Sequence, residues 1–170
     1  MALLRSRRVS APRLHVTHLV RTSSFAGVER YVSYLAPAQV AQGLTVTVIG
    51  GDPDRMSDAL RGTGVTQLSS RRAIDDGRSL RTPSRTALVH AHMTDADLVA
   101  VLSRPYHRRP IVSTLHFAKP RGRDRLRRAI FSPLPRLLDG QIAISRFVAE
   151  TSDQPDAVEW RAYTWSPPSS

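Results

Sequence analysis

Residues 13–49 read RLHVTHLVRTSSFAGVERYVSYLAPAQVAQGLTVTVI. The first part, Arg13 to Val20, alternates and is rich in β-formers, which predicts a strand. A polar turn, Arg21 to Ser24, leads to a helical pattern with Val28, Tyr31, Val32 and Leu35 on one face. Pro37 is expected to kink that helix, because its ring collides with the carbonyl of Ser33. Gly43 is a suitable C-terminal glycine. The apolar run Leu44 to Ile49 then predicts a second strand, stopped by Gly50 and Gly51. Two strands joined through a helix run parallel with a right-handed crossover.

The same alternation continues downstream. Asp54 to Leu60 predicts a short helix and Val65 to Leu68 a weak third strand. The arginine-rich stretch Ser69 to Arg85 reads as a surface loop with at most one helical turn. Leu88 to Ala91 predicts a strand, followed by an apolar helix from Ala96 to Leu102 capped by Thr94 or Asp95. Ile111 to Leu115 and Gln141 to Ile144 predict further strands, and Ser145 is placed to cap a helix from Arg146 to Glu150. Leu126, Ile130, Leu134 and Leu137 mark one face of a basic helix that Pro133 and Pro135 should break. Strands apolar on both faces, alternating with helices, define an α/β fold with a Rossmann-like, doubly wound parallel sheet. Three segments result: a basic N-terminal extension over 1–12, the folded domain over 13–150, and an irregular tail over 151–170.

Composition narrows the chemistry. The chain has 170 residues, a formal net charge of +11 and no cysteine, so disulfides, thiolate metal sites and cysteine nucleophiles are excluded. Lys119 is the single lysine among the 25 basic residues. Arginine excess is what a GC-rich coding sequence produces, but its planar fork also suits phosphate. Met1 to Pro12 carries Arg5, Arg7 and Arg8 without an apolar segment after them, so it does not read as a signal peptide. No stretch approaches the ~20 apolar residues of a membrane span. The expectation is a cytoplasmic chain, at most peripheral at the inner face of the membrane. Lys119 to Arg128 offers Arg121, Arg123, Arg125, Arg127 and Arg128 as candidates to face anionic lipid. Nucleic acid is disfavoured as a partner, because aromatic residues make up only 6% and do not interleave with the basic ones.

Ligands of open α/β sheets bind beyond the carboxyl ends of the strands. Gly27 lies where the first such loop enters a helix, a position that admits phosphate to backbone N–H groups. The dinucleotide pattern GxGxxG is absent, as are GxSxG, HExxH and CxxC. His90 and His92, two apart on a strand, point the same way. With no third ligand evident in sequence, no metal site is expected, and one of the pair should face the core while the other is exposed at the strand end. His92 and Ser145 mark two further loops of this kind. His116 follows a strand directly, where catalytic groups collect.

Taken together, Ala26-Gly27-Val28-Glu29-Arg30, Val89-His90-Ala91-His92, Pro110 to His116 and Asp139 to Ser145 occur in an order that resembles the N-terminal domain of family 4 glycosyltransferases, the group that includes bacterial mannosyltransferases. The resemblance covers residues 13–150. It implies one half of a GT-B fold, in which two Rossmann-like domains face a cleft. The parent reaction would be a retaining, metal-independent transfer from a nucleotide sugar to a lipid, glycan or small-molecule acceptor. The nucleotide sugar is a co-substrate, and no cofactor is implied. Gly27, with Ala26 beside it, matches the loop near the donor diphosphate, His116 matches the catalytic histidine near phosphate and acceptor, and His92 and Ser145 become candidates on the acceptor side. Ala26 departs from the pattern, which has glycine there and so opens more room for phosphate. The chain also departs after Glu150, where Trp160, Tyr163 and Trp165 stand in place of the run into a donor-binding domain. A truncated reading frame and a half-enzyme paired with a separate donor-domain chain both fit, and either implies inactivity alone. A non-catalytic basic module for anionic membrane or nucleic acid is the alternative reading.

Overall fold

The computed structural model describes residues 14–22, 25–70, 72–80, 86–117, 129, 131–151 and 160–162. Seven strands form one wholly parallel sheet: β1 (His15–Val20), β2 (Thr45–Gly50), β3 (Thr66–Leu68), β4 (Thr86–His92), β5 (Ile111–Leu115), β6 (Gly140–Ala143) and β7 (Trp160–Ala162). Their spatial order is β3-β2-β1-β4-β5-β6-β7. The chain therefore winds outward from β1 in one direction, returns, and winds outward from β4 in the other. The switch point lies between β1 and β4, and this is where open α/β sheets bind their ligands.

Helices cover both faces. On one side α1 (Gly27–Ala41) and α2 (Pro53–Leu60) contribute Val28, Val32, Ala36, Met56 and Leu60 to a cluster with Val20, Val46 and Val48. The four-residue spacing of Val28, Val32 and Ala36 is the buried stripe that makes α1 a helix against a sheet. On the other side α3 (Ala73–Leu80) and α4 (Thr94–His107) bring Leu80, Ala96 and Ala100 onto Leu19, Ile49, Val89, Ala91 and Ile111. Each fully buried Val, Leu or Ile contributes about 1.5–3 kcal/mol to this packing. A last helix, α5 (Arg146–Thr151), packs Val148 on Leu115 and Ala143.

Local chemistry sets the ends. Pro37 lies inside α1, which continues to Ala41 before Gly43 turns the chain at φ 89°. Asp52 caps α2 by accepting a hydrogen bond from the Arg55 N–H at 2.9 Å. Gly50 is required twice over: its φ is 87°, and a Cβ there would stand 2.2 Å from the Val20 carbonyl oxygen. Asp139, from the quoted Asp139 to Ser145 motif, accepts from the Ile111 N–H at 2.8 Å and pairs with Arg104, so it ties the starts of β5 and β6 together.

Four expectations are corrected. Residues 73–80 form a two-turn helix instead of a surface loop, because Asp76 and Leu80 are buried and Asp76 pairs with Arg21 at the end of β1. Helix α4 runs five residues past Leu102, to His107, and starts after Met93 rather than at a Thr or Asp cap. The tail is not irregular throughout: Thr151 ends α5, and Trp160–Ala162 adds a seventh strand beside β6. The fold accordingly extends past position 150. Leu134–Leu137 forms a single 3-10 turn. Arg121, Arg123, Arg125, Arg127 and Arg128 lie outside the described residues, as do 1–13.

Candidate functional site at the switch point

The register places His18 of β1 opposite His90 of β4, and Val20 opposite His92. Side chains two apart share a face. His18, His90 and His92 therefore join one row on the α1 side of the sheet, while Val89 and Ala91 face α4. His116, directly after β5, extends the row beyond Thr114, which pairs with His92 in register. Four imidazoles thus line up under the carboxyl ends of β1, β4 and β5.

Hydrogen bonds connect three of them end to end. Gln39 of α1 presents Oε1 to His18 Nε2 at 2.7 Å. His18 Nδ1 lies 3.0 Å from His92 Nε2, and His92 Nδ1 lies 3.2 Å from His116 Nε2. His90 stands beside this line with its Nε2 2.7 Å from Thr114 Oγ1. The ring of Tyr31, also on α1, meets His116 edge-on with centroids 5.1 Å apart. Burial lowers the pKa of His18 to about 4, opposed by the Gln39 hydrogen bond, and burial lowers that of His116 to about 4. His90 and His92 are pushed well below 6.5 by burial first and by their imidazole neighbours second. At neutral pH the row is uncharged, and each ring has one N–H and one lone pair.

The sequence-derived candidates fall into two groups. His116 is at the strand end as expected, only 9% exposed, with Phe117 beyond it more than half exposed. Ala26 and Gly27 are exposed at the start of α1, and a Cβ on Gly27 would meet nothing within 4 Å. Among the described residues, nothing crowds the Gly27 side of this turn. Glu29, fully buried, accepts a hydrogen bond from the Ala26 N–H at 3.0 Å and so steadies that loop. By contrast, His92 is fully buried, with both ring nitrogens engaged. It supports His116 from below instead of facing an acceptor. The expectation that one of His90 and His92 is exposed is likewise corrected, since the row sits under α1. Ser145 accepts from the Val148 N–H at 3.2 Å and caps α5.

Three features were not foreseen. His18 is one: its nitrogens, with those of His90 and His92, lie within 4.8 Å of one another, a spacing that could hold a metal ion. Its signal was a polar residue between Val16 and Val20 on an apolar strand, but nothing local told that β4 lies alongside. Gln39 is the second. The third is Met93, between β4 and α4, at φ 79° and ψ 158°. That region is essentially reserved for glycine and costs about 1–3 kcal/mol, and such strain gathers at functional sites.

A Rossmann-like sheet with its polar, strained residues gathered at the switch point defines the class: a doubly wound α/β domain whose candidate site lies at the ends of β1, β4 and β5. The particular family follows from comparison. The model described as Glycosyltransferase Family 4 matches residues 25–159, and the chain belongs to that family. No curated protein matches the chain. Among solved structures, it resembles HepE of Anabaena in complex with UDP (TM-score 0.68, 15% identity), covering 88% of this chain and 44% of that one. It also resembles a glycosyltransferase from Rickettsia africae ESF-5 (TM-score 0.65, 13% identity), covering 89% of this chain and 43% of that one. MurG of Acinetobacter baumannii is more distant, with TM-score 0.54 and 10% identity over 76% of this chain and 41% of that one. The chain thus spans under half the length of these proteins, and its fold is that of an N-terminal GT-B half.

Proposed function

We propose that this chain is the acceptor-side half of a retaining, metal-independent glycosyltransferase that moves a sugar from a nucleotide sugar to a lipid, glycan or small-molecule acceptor. The observation that carries the reading is His116, held at the end of β5 by His92 and by Tyr31 of α1. The exposed N–H groups at Gly27 suit the donor diphosphate, as helix N-termini suit anions. His116 is the group that meets the acceptor or the reacting phosphate. HepE was crystallised with UDP and with UDP-glucose, which supports a nucleotide sugar as the donor here.

Sugar transfer needs donor and acceptor held together, and positioning supplies much of the rate. The leaving diphosphate is expected to be neutralised mainly by cationic groups of a donor-binding half. The isolated chain should show no measurable transfer with any nucleotide sugar, and turnover should appear when a donor-binding half is supplied. Sustained turnover by the purified chain alone would overturn the reading. In the reconstituted enzyme, His116→Ala should lower turnover by a factor on the order of 10² or more. Full turnover in a well-folded variant would remove His116 from the mechanism.

A further inference from the structure

The hydrogen-bonded line from Gln39 to His116 has a direction, and the direction decides what His116 can offer. Gln39 Oε1 can only accept, so His18 donates through Nε2–H. A neutral His18 then has a bare Nδ1, which accepts from Nε2–H of His92. His92 is left with a bare Nδ1, and it accepts from Nε2–H of His116. The remaining ring nitrogen of His116, Nδ1, carries the lone pair.

We infer that Gln39, His18 and His92 form a positioning relay that locks His116 in its Nε2–H tautomer, so that Nδ1 is presented as a hydrogen-bond acceptor for a hydroxyl group of the acceptor substrate. The relay's functional meaning rests on the reading of His116 given above; the tautomers themselves do not. A ring fixed this way takes a hydrogen bond from a sugar or alcohol O–H and cannot give one through Nδ1 to a phosphate oxygen. Burial keeps all three rings neutral, which is what restricts each to a single proton. The same arrangement argues against a metal ion at His18, His90 and His92. Nitrogens of two of the three rings are spent on each other at 3.0 Å, and among the described residues no carboxylate bonds to any of them to offset a buried divalent charge.

The test is spectroscopic and uses the full chain, whose six histidines are few enough to assign individually. Long-range proton–nitrogen correlation separates ring nitrogens that bear a proton from those that bear a lone pair. At neutral pH, His18, His92 and His116 should each show Nε2 protonated and Nδ1 bare. Gln39→Glu keeps the accepting oxygen and should keep all three tautomers. Gln39→Met removes it at similar volume and should replace the single-tautomer pattern at His18 and His92 with a mixture. Protonated Nδ1 at His92 or His116 in the unaltered chain, or an unchanged pattern in Gln39→Met, would overturn the relay. So would stoichiometric uptake of zinc, added alone, with loss of the His18 and His92 Nε2–H signals. None of these readouts needs turnover. A relay seen intact beside an active His116→Ala enzyme would discard the catalytic reading and keep the tautomers.

Discussion

At the scale of single residues, Met93 and Gly50 hold the two ends of the switch point in backbone shapes that most side chains resist. Met93 is tolerated because it is unbranched and packs against the α1 cluster. A β-branched side chain at φ 79° would crowd its own backbone. Met93→Val should therefore lower stability by roughly 2 kcal/mol or more, while Met93→Gly should cost less than that, because relief of strain offsets lost packing. Urea midpoints of the two variants, read side by side, check the order. Gly50→Ala drives a methyl into the Val20 carbonyl at positive φ, and β1 cannot yield without breaking its pairing with β4. A loss of about 3 kcal/mol or more is expected from thermal or urea unfolding. A shift under 1 kcal/mol would mean that β1 and β2 part more easily than their register implies.

Elements, not residues, create the histidine row, and the row makes stability depend on acid. Unfolded imidazoles titrate near 6.5, whereas folded His18 and His116 titrate at about 4. Between these values the unfolded chain binds protons that the folded one refuses, so stability falls as pH drops from 6.5 toward 4 and is flat above 7. Each of the two rings accounts for up to about 3 kcal/mol at 1.36 kcal/mol per unit. Urea unfolding at pH 7.5 and pH 5 should differ by several kcal/mol, and His18→Gln should flatten the slope. The strands were readable because parallel strands are apolar on both faces. Helix α3 was hidden because its composition is that of solvent. Its anchor, Asp76, meets Arg21 across 55 positions, and no local pattern encodes that pair. The site was half readable for the same reason. His90, His92 and His116 stood at strand ends, but His18 became their neighbour only through the crossover that lays β4 against β1.

For the molecule as a whole, the parallel sheet and helices on both faces follow from the alternation of short apolar runs with amphipathic ones. Among the described residues no helix is long and apolar enough to cross a membrane. Phe117, directly after β5, and Phe147, in α5 after β6, are each more than half exposed. On the function proposed above, both are candidates to meet a donor-binding half. Phe147→Asp should leave urea stability within about 0.5 kcal/mol, because an exposed side chain contributes little to folding. It should nonetheless weaken recovery of activity by a supplied donor-binding half. Undiminished recovery would place that half elsewhere.

The strand order also governs how the chain is made. β1 and β2 are joined by α1 alone, but β1 and β4 pair residues 71 or 72 positions apart, His15 with Thr86 and Val16 with Leu88. During synthesis β1 pairs with β2 and then waits with its other edge bare until β4 emerges, and a bare edge is a template for other chains. Contacts of long sequence separation also form slowly, because their loop entropy is lost before the pairing compensates. Pulsed amide exchange during refolding should thus protect the β1–β2 bonds ahead of the β1–β4 bonds. The histidines would then come together last, so nascent chains would pass through a sticky, siteless stage that a chaperone is suited to shield.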